Sequence, residues 1–147
     1  MTARTGENGS ADRPAVSVLI ADDSALMQER LKALLETIPG IAVIAQAADV
    51  ASAEAAIDRL RPAVIILDLR LPGNGLKAIE RIKARPDPPV VIMFTAFSTA
   101  IHRQKSLALG ADYFFDKTTD LKEFQATLKL LARQNRERAD NGESSGG

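Results

Sequence analysis

VIILDLRLPG, residues 64–73, joins four consecutive aliphatic residues to an aspartate and then to a Pro-Gly turn. A short unbroken apolar run bounded by turn residues suits a strand covered on both faces, as in a parallel sheet. Ending that run on Asp68 is costly, because a carboxylate among apolar neighbours needs a partner or a metal. The same pattern recurs on either side. Apolar runs at 16–20, 41–45, 90–94 and 113–115 are further strand candidates.

The segments between these runs change period. Leu26, Met27, Leu31, Leu34, Leu35 and Ile38 recur at helical spacing, as do Leu76, Ile79 and Ile82. The first helix is expected to start at Ser24 and stop before Pro39-Gly40. Asp120 followed by Glu123 predicts a capping box opening a last helix with Leu121, Phe124, Leu128 and Leu131 inward. Segments 51–60 and 99–109 complete the set. Five strand-helix repeats with short connections predict right-handed crossovers and a doubly wound α/β sandwich. In such a sheet the working site lies outside the carboxyl ends of the strands.

Composition narrows the chemistry. The chain has 147 residues, 46% of them hydrophobic, enough for one globular domain. Lys plus Arg number 19 and Asp plus Glu 19, so no global field draws nucleic acid or an anionic membrane, and direct DNA binding is not expected. With no cysteine and the single His102, disulfides, thiol catalysis and zinc sites of the usual Cys/His type are excluded. A metal here would be a hard, oxygen-loving one. The polar N-terminus lacks a signal-type apolar region and no stretch approaches the roughly 20 apolar residues of a membrane span, which predicts a cytoplasmic protein without membrane insertion. Residues 1–14 and 135–147 read as flexible polar tails around a domain at 15–134.

Polar groups gather where the strands end: Asp22-Asp23 after the first, Asp68 after the third, Thr95-Ala96 after the fourth and Asp116-Lys117 after the fifth. Taken singly, the acid pair also reads as a helix cap, and Lys117 as a partner of Asp116 or of a helix carboxylate. Their joint occurrence at one edge points to a site. Two carboxylates about 4 Å apart repel by on the order of 4 kcal/mol at an effective dielectric near 20. A divalent cation would relieve that, and Mg²⁺ suits an all-oxygen donor set.

Asp22-Asp23, LDLRLPG around Asp68, FTA around Thr95 and FFDK ending in Lys117 resemble the CheY-like receiver domain of two-component response regulators, over roughly residues 15–134. The resemblance implies a flavodoxin-like five-stranded parallel sheet of order 2-1-3-4-5 with five helices. It also implies that Asp68 takes a phosphoryl group from the phosphohistidine of a sensor histidine kinase or histidine phosphotransfer protein. Mg²⁺ would be held by Asp23, Asp68 and the Arg70 carbonyl, with Asp22 acting mainly through bound water. Lys117 and Thr95 would bind phosphoryl oxygens, Ala96 would leave access for the donor, and Phe114 would stand at the aromatic switch position. The expected product is a stand-alone receiver that catalyses its own phosphorylation and dephosphorylation rather than a metabolic reaction. It would signal to an unknown downstream protein, or relay phosphoryl, through a face over residues 99–131.

Three departures accompany the resemblance. Thr118 follows Lys117 where many receivers have proline, the 72–75 loop is one residue shorter than the family spacing, and Phe114 lacks a tyrosine hydroxyl. Arg70 and Phe97 flank the expected path of the hydrolytic water. A phosphorylation-independent, receiver-like adaptor is the alternative reading. A haloacid dehalogenase-type phosphatase needs a second Asp where Arg70 stands, and no GxGxxG nucleotide loop occurs.

Overall fold

The computed structural model describes residues 15–96 and 98–146; the expectations for residues 1–14 and for Phe97 fall outside them. Strand β1 is Val16–Ala21, β2 Ile41–Ala47, β3 Val64–Leu67, β4 Val90–Thr95 and β5 Tyr113–Asp116. Helices α1 Ala25–Leu35, α2 Val50–Leu60, α3 Gly75–Lys83, α4 Ala100–Ala108 and α5 Leu121–Gly146 alternate with them. The strands form one parallel sheet in the order β2-β1-β3-β4-β5, as the resemblance implies.

Alternation along the strands sorts the core into two layers. Val18, Ile20, Ile66, Ile92 and Phe94 pack against Leu31 and Leu35 of α1 and Phe124 and Leu128 of α5. Leu19, Ile65, Leu67, Val91 and Met93 face α2 and α3 on the other side. Phe94 stacks on Phe124 at 4.0 Å between ring centroids. Strand β3 is buried at all four positions, the consequence of its unbroken aliphatic run.

Local chemistry sets the helix starts. Ser24, Asp49 and Thr99 cap α1, α2 and α4 by accepting from Met27, Ser52 and His102 backbone N–H groups. The Asp120 capping box takes a different form from that expected: its carboxylate turns back to the Asp116 backbone N–H at 2.9 Å, tying the end of β5 to α5. Leu26, on the apolar stripe of α1, and Leu121, expected inward, are 58% and 42% exposed, while Met27 and Phe124 of the same first turns reach the core. Helix α5 runs past residue 135, into the stretch expected as a tail. Among the residues whose burial is described, the last buried one is Ala132. Strong helix formers such as Arg133, Gln134, Glu137 and Arg138 carry it onward, and Arg136 reaches the Pro39 carbonyl at 3.4 Å.

The shortened loop before α3 closes through two consecutive left-handed residues, Gly73 at φ +102° and Asn74 at φ +71°. A Cβ on Gly73 would lie 2.9 Å from the Val50 Cβ, so glycine is required both by φ and by space. The Val50 backbone N–H donates to the Pro72 carbonyl, pinning the loop to α2. No described helix is long and apolar enough to cross a membrane.

Candidate functional site

Four strand ends converge at the carboxyl edge of the sheet. The Asp68 N–H donates to the Ala21 carbonyl and the Lys117 N–H to the Thr95 carbonyl, so β3 is joined there to β1 and β5 to β4. Asp22 is 2% exposed, Asp68 6% and Thr95 fully buried.

Lys117 is the hub. Its Nζ donates to Asp22 Oδ2 at 2.7 Å and to Asp68 Oδ2 at 2.8 Å. The remaining oxygens are held by neutral donors: Asp22 Oδ1 accepts from the Ser24 N–H at 2.9 Å, and Asp68 Oδ1 from the Thr95 hydroxyl at 2.8 Å and the Arg70 N–H at 3.1 Å. Burial pushes the Lys117 pKa down, yet the hydrogen bonds and charges of Asp22 and Asp68 outweigh it and hold the ammonium above the ordinary lysine value. Lys117 thus pairs with the two strand-end aspartates, whereas Asp116 has other partners. The Asp116 carboxylate accepts from the Ser98 hydroxyl and from the Thr118 and Thr119 backbone N–H groups, which hold it far below the usual carboxylate range. It joins the loop after β4 to the loop after β5.

The other site candidates are arranged around this centre. Asp23 and Arg70 are exposed on the loops after β1 and β3, and Ala96 is exposed after Thr95. Phe114 lies two positions before the Thr95-paired Asp116 in β5 and is 4% exposed, packed among Val91, Met93 and Ala111. Arg103 of α4 covers it, with the guanidinium 5.9 Å from the ring centroid and Nη1 donating to the Phe114 carbonyl at 3.3 Å. His102 is half-buried, with Nδ1 2.8 Å from the Thr99 hydroxyl.

Among the described residues no three acidic or histidine side chains are drawn together as a ready-made metal cluster. The donor chemistry nonetheless fits a hard dication. Asp22, Asp23 and Asp68 with Lys117 carry a net formal charge of −2, and their carboxylates are the oxygen donors such an ion takes.

Gln28 is a site residue that the sequence did not announce. Its side-chain amide donates to the Asp22 carbonyl at 2.6 Å and to the Ala47 carbonyl at 3.1 Å. A polar residue on an amphipathic helix gives no signal of such a role.

The doubly wound parallel sheet thus brings a buried aspartate, a lysine and a hydroxyl together at its carboxyl edge. The response regulator receiver domain family matches residues 18–129, and the chain belongs to that family. It is 39% identical over 129 residues to a protein-glutamate methylesterase/protein-glutamine glutaminase of Anaeromyxobacter dehalogenans, covering 82% of this chain and 37% of that one. It is 33% identical to the transcriptional regulatory protein YdfI of Bacillus subtilis, over 80% of this chain and 55% of YdfI. The chain thus spans about a third to a half of the length of these relatives. The response regulator domain of Thermotoga maritima CheB superposes with a TM-score of 0.69 at 28% identity, covering 84% of this chain and 97% of that one. A LuxR-family two-component response regulator from Aurantimonas sp. gives 0.75 at 26% identity, over 83% and 88%.

Proposed function

We propose that this chain accepts a phosphoryl group on Asp68 from the phosphohistidine of a histidine kinase or phosphotransfer protein, and signals by changed protein contact or by passing the group on. The observation that carries this reading is the environment of Asp68, a buried carboxylate held between the Lys117 ammonium and the Thr95 hydroxyl at 2.8 Å each.

An Asp68 oxygen attacks phosphorus, the P–O bond forms as the P–N bond to imidazole breaks, and the electron pair leaves with the imidazole. Charge then builds on the phosphoryl oxygens. Lys117 meets one of them by moving from Asp68 Oδ2 onto the new group, and the Thr95 hydroxyl turns from Asp68 Oδ1 to a second. A Mg²⁺ ion held by Asp22, Asp23, Asp68 and the Arg70 carbonyl would neutralise the remaining charge. Exposed Ala96 leaves the approach to Asp68 open.

Partner contact has two candidate places. Leu26, Ile101 and Leu121 are exposed in the first turns of α1, α4 and α5, around the site edge, where a histidine-bearing partner must dock. Output runs through α4, β5 and α5, where Phe114 and Arg103 are coupled. Incubation with acetyl phosphate tests the chemistry. Acid-stable, base-labile incorporation is expected with Mg²⁺ and not with a chelator; equal labelling under both conditions would remove the metal from the mechanism.

A further inference from the structure

The Asp22 carbonyl is a buried acceptor in a residue that is 2% exposed, and backbone at the end of a strand has no ladder partner for it. Gln28 supplies the donor. Both hydrogens of one amide are used, on the Asp22 and Ala47 carbonyls, and the Ala47 carbonyl also accepts the Asp22 N–H at 3.0 Å. The Gln28 N–H is itself bonded to the Ser24 carbonyl at 2.9 Å, in the helix start whose Ser24 N–H holds Asp22 Oδ1. Asp22 is therefore fixed through its N–H, its carbonyl and both carboxylate oxygens, and Gln28 provides the carbonyl contact.

That contact has a specific consequence, because the peptide unit is planar. The Asp22 carbonyl and the Asp23 N–H belong to one plane, so fixing the oxygen fixes the direction in which Asp23 leaves the strand. We propose that Gln28 is a positioning residue for the acidic pair, setting the Asp22–Asp23 peptide and thereby the affinity of the site for a divalent cation. This rests on the metal-dependent reading given above. Gln28 touches neither phosphoryl donor nor acceptor oxygen, so its effect falls on metal affinity and not on the chemical step. Outer-shell partners of metal ligands typically change affinity 10- to 100-fold when removed.

The test titrates Mg²⁺ into the whole chain by calorimetry for wild type, Gln28→Met, which keeps the shape and removes the donors, and Gln28→Leu as a second apolar variant. The amide resonances of Asp22, Asp23 and Ser24 are recorded without metal in parallel. The expected result is a roughly tenfold weaker Kd in the variants, shifted Asp23 and Ser24 amides before metal is added, and acetyl phosphate labelling restored to within about twofold of wild type at saturating Mg²⁺. A variant that binds Mg²⁺ as tightly as wild type overturns the proposal, as does a labelling defect that persists at saturation. Failure of the wild type itself to bind Mg²⁺ would overturn the metal-dependent reading together with the affinity claim, an outcome distinct from equal binding by wild type and variant.

Discussion

Lys117 balances two carboxylates that are almost wholly buried, and its removal leaves a pair of like charges without compensation. Breaking a buried ion pair from one side costs about 3 kcal/mol or more, whereas removing the opposing charge as well restores most of the loss. Lys117→Met is accordingly expected to lower stability in urea by about 3 kcal/mol, and adding Asp22→Asn to recover part of it, with Asp68 still uncompensated. The pH dependence has a definite sign. A lysine pKa raised in the folded state stabilises fully below the unfolded value near 10.5 and ceases to do so as pH rises through the higher folded value. Wild type should lose stability above about pH 10.5 along a limb that Lys117→Met lacks; a parallel alkaline decline in both would assign the loss to other groups. At this scale the residues at strand ends were legible, since an acid that closes an aliphatic run has to be met by a cation or by hydrogen-bond donors. The partner of Lys117 was left open by the sequence because Asp116 is its neighbour. The structure separates them: Asp116 bends away to Ser98 and the Thr118–Thr119 turn.

All five strands and five helices were readable from the change between apolar runs and 3.6-residue spacing, because both sheet faces are covered. What periodicity could not report is where a helix overhangs the sheet. Leu26 and Leu121 fit the apolar stripe, yet in those same first turns it is Met27 and Phe124 that reach the core. Likewise helix propensity, not core burial, prolongs α5 beyond Ala132, which a rule based on apolar content does not register. The exposed leucines give a prediction at this scale. Leu26→Ala and Leu121→Ala should change stability by less than about 0.5 kcal/mol, leave acetyl phosphate labelling unchanged, and slow phosphotransfer from a cognate phosphorylated histidine kinase severalfold. Unchanged transfer rates would move the docking surface away from these helix starts.

At the scale of the whole molecule, folding stores electrostatic repulsion at one edge of an otherwise well-packed sheet. The site carries a net formal charge of −2 before any cation arrives, so the apo protein should be relieved by losing one acid. Asp23→Ala is expected to melt at or above the wild-type temperature without metal. Added Mg²⁺ should stabilise wild type by RT ln(1 + [Mg²⁺]/Kd), about 2.7 kcal/mol at one hundred times Kd, and the variant much less. Identical Mg²⁺ shifts in the two would place the ion elsewhere.

If Asp68 is the phosphoacceptor, the incorporated group must be found on it and nowhere else. Wild type and Asp68→Asn are exposed to acetyl phosphate with Mg²⁺, and the labelled peptide is mapped by mass spectrometry. A single acyl phosphate is expected on the peptide containing Asp68 in wild type and none in the variant. Equal incorporation in Asp68→Asn, or a phosphate mapped to a peptide without Asp68, would contradict it.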